Sequence, residues 1–189
     1  MSDSRDRDGG VEESAVEIER PDPDGIDALV ELWIALASDQ RAHDSHIRPE
    51  PNRGVVRDTL ARHAVTGGVR AARRGDEVVG FVSFELERGA YQTDEARGIV
   101  RNVYVAPEHR GRGIGSDLLG AAEAALADAG ATAVALEAMA GNDRARAFYR
   151  RRGYTPHRVQ FEKPLDRGET TESTAAEEND THSKEDGVP

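Results

Sequence analysis

Glycines at 111, 113 and 115 stand two residues apart, and that spacing is the chain's clearest offer of chemistry. The apolar run Val103-Tyr104-Val105 leads into them, Pro107 breaks it, and the stretch from Asp117 to Leu126 reads as a helix. A strand that turns through glycines into a helix start presents several unpaired backbone N–H groups, and the positive end of the helix dipole favours negative charge. Arg110 and Arg112 border the turn, and a guanidinium suits phosphate geometry. Arg110, Gly111, Arg112, Gly113, Ile114, Gly115 and Ser116 therefore read as a cradle for a phosphorylated ligand. Two familiar cradles are excluded. No lysine follows the last glycine as a P-loop requires, and the spacing is G-x-G-x-G rather than the dinucleotide G-x-G-x-x-G.

What the turn does match is R-x-x-G-x-G, at Arg110, Gly113 and Gly115. About 30 residues on, Asn142, Ala145, Phe148, Tyr149, Gly153 and Tyr154 spell N-x-x-A-x-x-F-Y-x-x-x-G-[FY]. The two signatures, in this order, resemble the GCN5-related N-acetyltransferases, the GNAT superfamily, over roughly residues 15–163. With Glu137 five residues before Asn142 and Tyr149 seven after it, the spacing is most similar to the bacterial ribosomal-protein alanine N-acetyltransferases.

The resemblance implies transfer of an acetyl group from acetyl-CoA to a primary amine, either a protein N-terminus or a small amine, with no metal. An amine attacks a thioester only when unprotonated, and the departing thiolate benefits from a proton donor. The resemblance places Glu137 as base and Tyr149 as acid. Glu85, Glu95 or a water relay remain alternatives for the base. A backbone N–H along Val103, Tyr104 and Val105 would polarise the carbonyl where the family's strand splays for the pantetheine arm. Asn142 would bond the pantetheine, or serve as a helix N-cap. The rival reading from another class is a non-catalytic acyl-CoA-binding sensor that kept the turn and lost turnover.

These residues need elements to hold them. Ala15–Glu19 alternates as a strand, and Asp24 is placed to cap a helix through Ile26, Leu29, Val30 and Trp33. Residues 52–64 suggest a second helix. Strands follow at 69–73 and 78–86, joined at Gly75-Asp76, and at 98–105. A helix over 114–129, a strand over 132–139, a helix over 142–152 and a strand over 157–163 complete the order β-αα-βββ-α-β-α-β. That order predicts an α/β fold, a central mixed sheet with helices on both faces, and coincides with the GNAT core. One strand after the last helix, where most of the family carry two, leaves an edge for a partner chain, so a homodimer is expected.

Composition bounds the rest. In 189 residues there is room for one ordinary domain over 15–165, with polar, acidic tails at 1–14 and 166–189 expected to stay disordered. No cysteine is present, which excludes disulfides, thiolate metal sites and an acyl-cysteine. The net charge of −11 argues against nucleic acid as partner. No apolar run reads as a membrane span or a signal peptide, so a cytoplasmic location is expected. Lys163 and Lys184 are the only lysines against 36 acidic residues, a balance similar to that of cytoplasmic proteins from salt-adapted microbes. A GC-rich genome with acidic tails would give the same balance.

Overall fold

Strand β3 (Glu77–Leu86) carries the core on both its faces. In the computed structural model, which describes residues 15–87 and 95–165, Phe81 enters one core with Leu29, Val30, Leu60, Val69 and Tyr104. Its neighbour Val82 enters a second core with Val100, Leu118, Leu119, Ala122 and Leu126. Alternation along a strand demands this, because successive side chains point to opposite sides. Each fully buried Phe or Leu contributes about 1.5–3 kcal/mol, so both faces must be covered by helices.

The first core is closed by α1 (Ile26–Arg41) and α2 (Arg53–Thr66), the second by α3 (Ile114–Asp128). Exposed ion pairs from Arg57 to Asp27 and from Arg53 to Glu31 tie α2 to α1. The five-stranded sheet runs β1 (Val16–Glu19), β2 (Val69–Arg74), β3, β4 (Arg97–Val105), β5 (Ala133–Leu136). The first three pairings are antiparallel and the last is parallel. This is the α/β mixed sheet that the order of elements predicts.

Helix α4 (Asp143–Arg151) is held to α3 through one carboxylate. Glu123 accepts from the Tyr154 hydroxyl at 2.9 Å and from Arg152 Nη2 at 3.0 Å. Replacing Glu123 by Ala strands the partly buried Tyr154 hydroxyl. The expected cost is about 1–2 kcal/mol of stability, read as a lower midpoint in urea unfolding.

Two sequence expectations are corrected here. Asp22, not Asp24, caps the start of the first helical segment: its Oδ1 accepts from the Gly25 N–H at 2.8 Å, over a 3-10 turn at Pro23–Gly25. Pro23 puts its fixed φ at the first position and leaves Asp22 the capping place. The strand expected over 157–163 is also not formed. The chain divides after Thr155, and residues 156–165 of the second unit contain neither helix nor strand. Val159 and Phe161, the apolar half of the alternation, are exposed at 72% and 91%. Alternation specifies a strand's faces, but a ladder partner must supply its hydrogen bonds. The expected tails at 1–14 and 166–189 lie outside the described residues, as do residues 88–94.

Candidate functional site

The parallel pairing of β4 with β5 lasts four residues. Arg97, Gly98, Ile99 and Val100 face Ala133, Val134, Ala135 and Leu136; there β5 ends while β4 runs on to Val105. At the same level Arg101 is a bulge, skipped between the pairs Phe84–Val100 and Ser83–Asn102. Bulges bend a strand and commonly stand beside functional sites. Beyond this point β4 is paired to β3 alone, and a gap opens on its other side.

The gap is lined by usable backbone groups. The Ala106 N–H donates to the Val79 carbonyl at 2.9 Å, so the alternation of an antiparallel ladder turns Tyr104 toward β3. Val103 and Val105 then turn their N–H and C=O groups away from β3, into the gap. The Val105 carbonyl accordingly accepts from Arg110 Nε at 2.8 Å. The Tyr104 side chain is buried in the first core.

Above the gap lies the glycine turn. Gly111 and Gly113 have φ of +81° and +89°, values that other L-residues resist, and open space surrounds the position a Cβ would take at either one. The amides of Gly111, Gly113, Ile114 and Gly115 donate to no backbone carbonyl of a described residue. Those of Ser116 and Asp117 return to the Gly113 carbonyl at 2.8 and 3.1 Å and begin α3. Converging free amides at a helix N-terminus fit a diphosphate, so the residues present suit the donor that the sequence implies. Arg112 is exposed on the turn.

Arg110 is engaged by the protein itself. Its Nη2 pairs with Asp39 Oδ2 at 2.9 Å, and its guanidinium lies 5.2 Å from the centre of the Tyr104 ring. It therefore latches the turn to β4 and to the end of α1. Sequence reasoning missed Asp39 as the partner of Arg110; 71 positions separate the pair, and no local pattern signals it. Asp39→Asn should weaken binding of a diphosphate-bearing ligand at the turn by about threefold to tenfold, the loss expected when a charge-assisted bond that sets the turn is weakened. Calorimetry with such a ligand measures it.

The remaining sequence-predicted residues lie on the far side of the gap. Asn142 is the N-cap of α4, its Oδ1 accepting from the Ala145 N–H at 3.0 Å. One and a half turns later Phe148 and Tyr149 pack on the second core. A Cβ on Gly115 would lie 3.8 Å from Phe148 Cζ and from Val105 Cγ2, so α3, α4 and the end of β4 converge beside the turn. The Tyr149 ring meets Phe148 and Tyr154 edge-on, at 5.3 and 6.0 Å between centroids. Its hydroxyl bonds no described residue, and burial holds its pKa above the ordinary tyrosine value. Glu137 is exposed directly after β5, where the gap begins, and is likewise without a hydrogen bond or ion pair to a described residue. No contact joins it to Tyr149.

Among the described residues, one group offers three metal-ligand atoms within 4.8 Å of one another, Glu77, Glu108 and the buried His109 at the outer foot of the turn. None of the described helices is long and apolar enough to cross a membrane.

Comparison with known proteins agrees with this architecture. A family model described as the acetyltransferase (GNAT) family matches residues 27–154. An aminoalkylphosphonate N-acetyltransferase of Salmonella typhimurium is 33% identical over 113 residues, covering 59% of this chain and 73% of the relative. A GCN5-related N-acetyltransferase from Ralstonia eutropha superimposes with a TM-score of 0.63 at 22% identity, over 80% of this chain and 99% of its own. An aminoglycoside N-acetyltransferase solved in complex with CoA gives 0.57 at 14% identity, over 80% and 95%.

Proposed function

The chain belongs to the GNAT acetyltransferase family, and from that premise we propose that it transfers acetyl from acetyl-CoA to a primary amine within a ternary complex. The observation that carries this reading is the gap beside Val103 and Val105, closed at its upper end by a turn whose Gly111, Gly113, Ile114 and Gly115 amides donate to no backbone carbonyl of a described residue. A diphosphate on that turn directs the pantetheine arm down β4, and the N–H of Val103 or Val105 meets the thioester oxygen. The amine arrives as an ammonium and yields a proton to Glu137, directly or through water. Its nitrogen attacks the carbonyl carbon, the C–N bond forms, and the C–S bond breaks as the oxyanion collapses. Tyr149 protonates the departing thiolate, and the second ammonium proton leaves to solvent as the amide forms. Without cysteine there is no thiol to carry an acyl-enzyme, which supports direct attack.

The acceptor is a protein N-terminus or a small amine, and the relative named for aminoalkylphosphonates supports the small amine. Calorimetry with acetyl-CoA followed by thiol-release assays on an amine panel tests the reading. Binding with turnover is expected. Binding without turnover on every amine would replace it with a non-catalytic acyl-CoA sensor.

A further inference from the structure

Four arginines line one groove of a chain whose net charge is −11, three of them with no acidic partner among the described residues. Elsewhere several arginines meet acids: Arg57 with Asp27, Arg73 with Glu19, Arg97 with Glu87, Arg110 with Asp39, Arg152 with Glu123. The groove beside the C-terminal half of α2 is lined by Arg20, Arg62, Arg70 and Arg101 together with His63, and by the carboxylates of Glu85, Glu87 and Asp128. Among the described residues Arg20, Arg62 and Arg70 have no carboxylate within ion-pair distance. The register Glu19–Ala71 sets Arg20 across from Arg70, and like charges on neighbouring strands repel. Arg70 is fixed there by the carbonyls of Gly67 and Val69, at 2.9 and 2.8 Å, and by the Phe84 ring 5.4 Å away. Cleft walls of low dielectric concentrate the field that attracts an anion.

The groove reaches the transfer centre. Arg101 is the bulged residue of β4, level with the end of β5, and its Nε and Nη2 hold Glu85 Oε1 at 2.8 Å. Next to it, Asn102 Nδ2 donates to the buried Ser83 Oγ at 2.7 Å, and both residues line the groove. His63 is only 15% exposed, with Nδ1 unpartnered and Nε2 3.9 Å from Glu85 Oε2. Burial pushes its pKa below the ordinary value; the charges of Arg62 and Arg101 push the same way, against the pull of Glu85. Around the imidazole two guanidiniums stand against the single Glu85 carboxylate, a balance of charge that suits an anion.

Resting on the acetyl-transfer reading above, we propose that the acceptor is a small zwitterionic amine. Arg62 and Arg101 hold its phosphonate or carboxylate in the groove, and its amine passes Ser83 and Asn102 into the strand gap. The gap opens one residue from the Val100–Leu136 pair, at Arg101 itself, so only a few bonds separate the two groups of such an acceptor.

The test is kcat/KM for 2-aminoethylphosphonate, β-alanine, 2-aminoethanol and a short peptide with neutral side chains. The two acid-bearing amines should exceed 2-aminoethanol and the peptide by about tenfold or more, the worth of one charged hydrogen bond. Which of the two leads identifies the acid. Arg62→Gln should shrink that selectivity ratio by about tenfold, and Arg62→Lys should restore part of it. Independently of turnover, 2-aminoethylphosphonate added without acetyl-CoA should raise the His63 titration midpoint followed by NMR. Equal rates with and without the acid group, or a preference for the peptide, overturn the proposal and leave the acetyl-transfer reading standing. Failure of every amine together with failure to bind acetyl-CoA overturns that reading, and the NMR titration then decides the groove alone.

Discussion

Tyr149→Phe is expected to lower kcat by about 10²-fold or more, the low end for loss of a positioned proton donor, while acetyl-CoA binds as before. The substitution is clean because the hydroxyl bonds no described residue, so its removal leaves no partner unsatisfied. The ring that remains keeps its edge-on contacts with Phe148 and Tyr154. A hundredfold loss corresponds to about 2.7 kcal/mol of transition-state stabilisation, far above the change such packing undergoes. Burial raises the Tyr149 pKa, so the phenol keeps its proton through neutral and mildly alkaline pH. Any alkaline fall in kcat due to its ionisation must then lie above the ordinary tyrosine value of 10.0. The stability this group contributes has the same sign. It is complete below the unfolded value and is lost as pH rises through the folded one. Single-turnover rates separate the chemical step from product release, and a variant with undiminished chemistry would remove Tyr149 from the acid role.

Gly113→Val should nearly abolish binding of acetyl-CoA and of CoA. A Cβ at this position meets nothing within 4 Å, so the folded chain has room for the side chain. The difficulty is the backbone, held at φ +89°, where a β-branched residue is strained by about 1–2 kcal/mol or more. The turn relieves that strain by rotating, which re-aims the amides of Gly113, Ile114 and Gly115. Losing two hydrogen bonds to a charged diphosphate, at about 1.5–3 kcal/mol each, amounts to roughly 10²–10⁴ in affinity. Calorimetry with CoA measures the loss, and a thermal melt verifies that α3 still forms. Retained affinity in a folded variant would mean that the phosphates lie elsewhere.

The sequence announces what is local and omits what is distant. The glycine turn is legible because positive φ selects glycine residue by residue. The α4 cap is legible because Asn142 immediately precedes the helix it caps. The order of elements from β1 to α4 follows from periodicity contained in each segment. Arg110 shows the limit: nothing local signals its ion pair with Asp39, which is brought near only by the packing of α1. The bulge at Arg101 is equally hidden, since it is a relation between two strands rather than a residue preference. The segment 157–163 fails in the opposite sense. Its alternation is real, and without a ladder partner alternation alone forms no strand.

Only four rungs join β5 to the rest of the sheet, as few as hold β1, so the strand that leads to Glu137 is loosely fastened. Amide protons of β5 and α4 should trade for deuterium sooner than those of β3, which is laddered on both sides along most of its length. Breathing of that kind would let a long, bent thioester slip in sideways instead of threading through a rigid slot.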